Sequence, residues 1–146
     1  MTPNVKLTVT ERNGRKHAST GSAWEPVVGY SRAVRAGDAI FVTGTVGLEP
    51  DGRFAPTARE QTRRALEIIV AAIEALGGKP SDVVRTRIYV TNIDDWKEVG
   101  EIHREFFESV RPATTMVEVA RLIDPQALVE IEADAIIQHD PEGRFA

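Results

Sequence analysis

Residues 129–135 read Val-Glu-Ile-Glu-Ala-Asp-Ala, an unbroken alternation of apolar and acidic side chains. Only an extended strand sends successive side chains to opposite sides. This segment therefore belongs in a sheet with one apolar face and one acidic face. Val83–Val90 has the same period with the opposite charge: Val84, Thr86, Ile88 and Val90 share one parity, and Arg85, Arg87 and Tyr89 share the other. The apolar sets must meet a helix layer. The far side of the sheet then carries Arg85, Arg87, Tyr89, Glu130, Glu132 and Asp134. It faces either water or another subunit, and in the second case its charges must be paired.

The remaining segments supply that helix layer and the rest of the sheet. Lys6–Thr10 alternates and precedes Asn13-Gly14, a strand and a hairpin turn. Ser19–Pro26 reads as a loop. Gly29–Arg35 and Ala39–Val46 read as strands joined at Gly37-Asp38, and Pro50-Asp51-Gly52 is a turn. Thr57 and Glu60 have capping-box spacing, and Leu66, Ile69, Val70, Ile73 and Leu76 then recur on one helical face up to Gly77-Gly78 and Pro80. A second helix opens at Asp95, with Trp96, Val99, His103, Phe106 and Val110 as its stripe and Ile102 and Phe107 beside it. Thr115–Leu122 and Leu128–Ile137 are the last two strands. The order is β-β-β-α-β-α-β-β, an α+β fold with one mixed β-sheet and both helices on one face. Residues 1–146 read as a single domain with loose first residues and a loose tail at 139–146.

Composition narrows the chemistry. The chain has 18 basic and 22 acidic residues, a net charge of −4, and no basic run, which disfavours a polyanion such as nucleic acid. It has no cysteine, which removes disulfides, thiolate metal sites and cysteine nucleophiles together. No apolar run approaches the ~18 residues of a membrane span. Met1–Thr10 lacks a signal-peptide layout, so the expected location is cytoplasmic. His17, His103 and His139 have no metal-ligand spacing, and His103 reads first as a hydrogen-bonded core or interface residue. Gly44-Thr45-Val46-Gly47 is too short to cradle a phosphate. Ser22 and Ser31 have no neighbour that suggests a triad, and Trp24 and Tyr30 are either pocket or core aromatics. No metal or cofactor is implied.

Several strings, in this order, resemble the RidA/YjgF/YER057c (Rid) family. They are Gly29-Tyr30-Ser31-Arg32-Ala33-Val34, Phe41-Val42-Thr43-Gly44, Glu60-Gln61-Thr62, Asp82-Val83-Val84-Arg85-Thr86, Arg111-Pro112-Ala113 and Leu128-Val129-Glu130-Ile131-Glu132-Ala133. The likeness runs from about Gly29 to Ile136. It implies a chorismate-mutase-like fold and a homotrimer whose sheets form a central barrel, with small-molecule clefts between subunits. The activity it implies is hydrolysis of enamine or imine intermediates, such as 2-aminoacrylate, to a 2-keto acid and ammonia. In the deaminating branch an arginine after the Pro-Ala pair clamps the substrate carboxylate. Here that position is Thr114, and a hydroxyl cannot replace a guanidinium. Tyr30 matches the cleft tyrosine, Thr43 stands for a cleft serine with Gly44 after it, and Glu130 matches the glutamate that positions water. Met116 stands where cysteine is frequent, and Gly100 where an asparagine can occur. Arg87, or Arg85, is the candidate for restoring positive charge to a reshaped cleft. The competing reading is that Arg87 pairs with Glu118, Glu130 or Glu132.

The first functional reading is a hydrolase of an imine, enamine or related metabolite other than 2-aminoacrylate. Tyr30, Thr43, Gly44, Arg87, Thr114 and Met116 would bind the substrate and Glu130 would be catalytic. The alternative is a non-catalytic trimer that captures a metabolite or regulates a partner. An endoribonuclease or translation inhibitor ranks last, because the chain lacks a basic stripe and a paired-histidine site.

Overall fold

The computed structural model describes residues 4–139; the first three residues, and the expected loose tail from 140 onward, lie outside the described residues. Seven strands form one mixed sheet: β1 (Thr8–Arg12), β2 (Arg15–Ser19), β3 (Ala33–Ala36), β4 (Ala39–Val46), β5 (Val83–Val90), β6 (Ala113–Glu118) and β7 (Val129–Ile136). Three α-helices accompany it: α1 (Trp24–Val28), α2 (Ala58–Ala75) and α3 (Trp96–Phe107). The spatial order is β1-β2-β3-β4-β7-β5-β6. β5 and β6 are parallel, with α3 as their crossover, and every other pair is antiparallel.

The alternating acidic segment is β7, which slots between β4 and β5 and is antiparallel to both. Val129, Ile131, Ala133 and Ala135 are fully buried against the helix layer, beside Leu66, Ile69 and Ile73 of α2 and Val99, Ile102 and Phe107 of α3. The α3 stripe is rotated from the expected one. Trp96 is 56% exposed, and Ile102 and Phe107 lie at the stripe's buried centre.

Local chemistry explains the element ends. Thr57 caps α2 by accepting from the Glu60 amide at 3.2 Å. Asn13 and Gly14 both take positive φ, which lets a tight turn match the twist of the two arms it joins. The second arm, Arg-Lys-His-Ala-Ser, is a strand in its own right, although its sequence shows no apolar alternation; it pairs with β3 on its other side. Within the segment read as a loop, Trp24–Val28 forms a short helix closed by Gly29 at φ 88°. Val84 also departs from the simple parity: the β5–β7 register slips between Val83 and Arg85, and this bulge leaves Val84 44% exposed while Val83 turns inward.

Gln61 shows why Glu60-Gln61-Thr62 is a useful string. Its side chain is 1% exposed on α2, and its amide donates to the carbonyls of Ala55 (2.8 Å) and Gln126 (3.0 Å). Its oxygen accepts from the Leu128 amide at 2.8 Å. One amide thus ties two loops to the start of β7. Gln61→Leu is expected to destabilise the fold by roughly 3 kcal/mol, because it strands buried backbone groups. Denaturant unfolding measures this; a loss within about 0.5 kcal/mol would refute the staple.

Candidate functional site

The expected site residues separate into three places. Tyr30, Thr43, Gly44 and Glu130 line a cavity of about 1000 Å³ at one end of the sheet, between the β4 bend, the α1 segment and the flank of α2. Arg87 lies on the charged sheet face, its Nη1 at 3.4 Å from both Glu132 and Asp134. Thr114 and Met116 sit on edge strand β6, opposite Thr86 and Ile88 of β5 and outside that cavity.

A bulge builds the cavity. Val42 pairs with Ala133 and Thr45 with Ile131, so β4 carries one extra residue at Thr43-Gly44. The Glu130 carboxylate approaches this kink so closely that a Cβ on Gly44 would collide with it. A side chain there would have to push the Glu130 carboxylate from its place, since the Gly44 backbone itself is not left-handed. Burial pushes the Glu130 carboxyl above the usual carboxylate range; Arg32 opposes that shift and Glu132 adds to it. The carboxyl therefore keeps its proton to higher pH than a surface glutamate.

Two features of the site lie outside the expected set of binding residues, although Trp24 is one of the two aromatics read as pocket or core. The first is the α1 segment, from which Thr20, Ser22 and Trp24 reach the cavity. Glu25, 6% exposed, pins it by accepting from Ser19 Oγ at 2.6 Å, Thr20 Oγ1 at 3.1 Å and the Thr20 amide at 3.3 Å. The second is Arg32, which lies under Tyr30 with its guanidinium carbon 5.6 Å from the ring centroid. Its Nη1 donates to the Gly44 carbonyl (2.9 Å) and to Thr45 Oγ1 (3.0 Å). The signal was only that an arginine sits two residues after Tyr30, at a strand entry.

Thr114 is held by a hydrogen-bond chain. His103 Nε2 and Thr86 Oγ1 are 2.8 Å apart, Thr86 Oγ1 and Thr114 Oγ1 are 2.8 Å apart, and Thr114 donates to the Pro112 carbonyl at 3.1 Å. Burial holds the His103 ring below its usual pKa, which favours the neutral ring. One direction satisfies every atom: His103 donates to Thr86, Thr86 to Thr114, and Thr114 to Pro112. Among the described residues no group of three or more His, Cys, Asp or Glu could hold a metal ion, and no helix is long and apolar enough to cross a membrane.

Comparison with known proteins follows the same residues. Residues 20–137 match the endoribonuclease L-PSP family. A Mycobacterium tuberculosis protein, described as a member of the YjgF/YER057c/UK114 family, has a crystal structure similar to this chain: 50% identity, TM-score 0.79, covering 84% of this chain and 99% of that one. An uncharacterised Streptomyces coelicolor protein is 38% identical over 82% of this chain and 90% of its own length. A 2-iminobutanoate/2-iminopropanoate deaminase of Dermatophagoides farinae is 34% identical over 82% of this chain and 94% of its own.

The raised Glu130 pKa has a signed consequence for stability. The folded state favours the neutral carboxyl, so its contribution is complete below the unfolded-chain pKa and is lost as pH rises through the folded one. Glu130→Gln, which cannot ionise, is therefore expected to gain Tm on the wild type between about pH 4 and pH 7. Thermal unfolding across that range decides it, and a pH-independent difference would sink the assignment.

Proposed function

The chain belongs to the YjgF/YER057c/UK114 (Rid) family, and we propose that it hydrolyses an imine, an enamine or a related small metabolite in a cleft completed by a second subunit. The observation that carries this reading is the Glu130 carboxyl, set against the Gly44 kink in a cavity shared with Tyr30 and Thr43. An imine carbon is already electrophilic, so the site needs only to bind the substrate and activate water. Ionised Glu130 accepts a proton from water as the water oxygen bonds to the imine carbon. That proton passes to nitrogen to give a carbinolamine; its hydroxyl proton then moves to nitrogen through the same carboxylate as the C–N bond breaks, and a carbonyl compound and ammonia leave. Thr43 and Tyr30 offer hydroxyls to the substrate.

The homotrimer is supported by the outer sheet face. Phe41, Val117 and Ile136 are 41–53% exposed there, opposite Asp134, Tyr89 and Ala39 respectively. Between them Arg87 bridges Glu132 and Asp134, and the Tyr89 hydroxyl donates to Glu132 at 3.1 Å. The Arg87–Glu132–Asp134 group is paired within the face and can be covered without stranding those charges, whereas Arg85 would need a partner from the neighbour. Thr114 and Met116 lie away from the Glu130 cavity of their own chain, so a neighbour's β6 is what would bring these positions to a shared cleft. The second reading, a metabolite-binding trimer without turnover, is favoured by the uncharged, fully engaged Thr114 hydroxyl.

Imines released in situ from a panel of amino acids by an amino-acid oxidase provide the test. Conversion of at least one imine is expected to exceed buffer, and Glu130→Gln is expected to cost about 100-fold or more. Turnover of none by the wild type rejects catalysis in favour of binding alone. Preference for 2-aminoacrylate over the rest rejects the reading of Thr114. Sedimentation equilibrium is expected to give three times the chain mass; a monomer removes the cleft.

A further inference from the structure

We infer that Arg32 is the anion-binding residue of this cavity, so that the ligand carries a carboxylate or comparable oxyanion held from within the chain rather than from position 114. This rests on the cavity reading above.

Arg32 is 6% exposed, yet its guanidinium hydrogen-bonds no carboxylate among the described residues. Its hydrogen bonds are lopsided. Nη1 is satisfied by Gly44 and Thr45, Nη2 has a single long contact of 3.4 Å to the Tyr30 hydroxyl, and Nε is buried without a partner. Nε and Nη2 form the side of the fork that receives a carboxylate in two parallel bonds. Arg64 on the same cavity differs: Glu67 lies at 3.5 Å and Glu49 at 3.8 Å from it. Arg87 is likewise committed, to Glu132 and Asp134. A buried cation that no carboxylate hydrogen-bonds is costly unless something supplies one. Glu130 is near enough for Arg32 to lower its pKa, but the guanidinium donates no hydrogen bond to it. A ligand anion on the Nη2 side, displacing only the long Tyr30 contact, would complete the pairing.

Calorimetric titration with 2-oxobutanoate and 4-methyl-2-oxopentanoate, each beside its primary amide, tests this directly. The acids are expected to bind the wild type at least about tenfold more tightly than the amides. Arg32→Gln is expected to bring acid and amide within about twofold. Arg32→Lys, a cation without the fork, is expected to keep part of the preference. Arg63→Gln, at an exposed pair with Glu105, is expected to leave it intact. Equal acid and amide binding by the wild type overturns the role of Arg32, and that comparison needs no variant to fold. If Gly44→Ala then abolishes both, the cavity reading survives. An acid preference retained in Arg32→Gln also overturns the role. Failure of every probe to bind the wild type overturns the cavity and Arg32 together.

Discussion

The insertion of β7 between β4 and β5 is the constraint from which the rest follows. A strand paired on both edges has no freedom of register, since a slip of one residue would turn Glu130, Glu132 and Asp134 into the core. Its apolar parity seats α2 and α3, and its acidic parity charges the opposite face. The same fixed register brings Glu130 to the place where β4 carries its extra residue. Fold and candidate site are thus two consequences of one pattern of alternation.

That pattern explains what was legible in the sequence. β7, β5, the α2 cap and the α2 stripe are local, and each is set by residues a few positions apart. The features that escaped are set by partners far along the chain. The bulges at Val84 and at Thr43-Gly44 exist only relative to β7, so neither is encoded in its own strand's alternation. β2 is a strand because β1 and β3 flank it, and its own side chains show no period. Arg32 looks like any arginine at a strand entry until the chain folds Gly44 and Thr45 against it.

Arginine illustrates how environment, not residue type, decides a role. Alternation marks Arg87 as a neighbour of the acidic strand, and that same proximity commits it to Glu132 and Asp134. A charge already paired on a partly exposed face adds little and offers little to a ligand. Arg32 gains its significance from the reverse situation: desolvation with one side of its fork bonded to no carboxylate. The useful question about a candidate cation is therefore which of its donors remain unpaired after folding.

Position 114 can be understood in the same way. Threonine there turns back into its own chain. Thr86 is fully buried and needs a partner for its hydroxyl hydrogen once the His103 ring N–H occupies its oxygen. Thr114 accepts that hydrogen and passes its own to Pro112. The hydroxyl that cannot clamp an anion instead completes an otherwise unsatisfied line of donors, and the burden of recognising charge moves to whatever cation the cavity itself leaves unpaired.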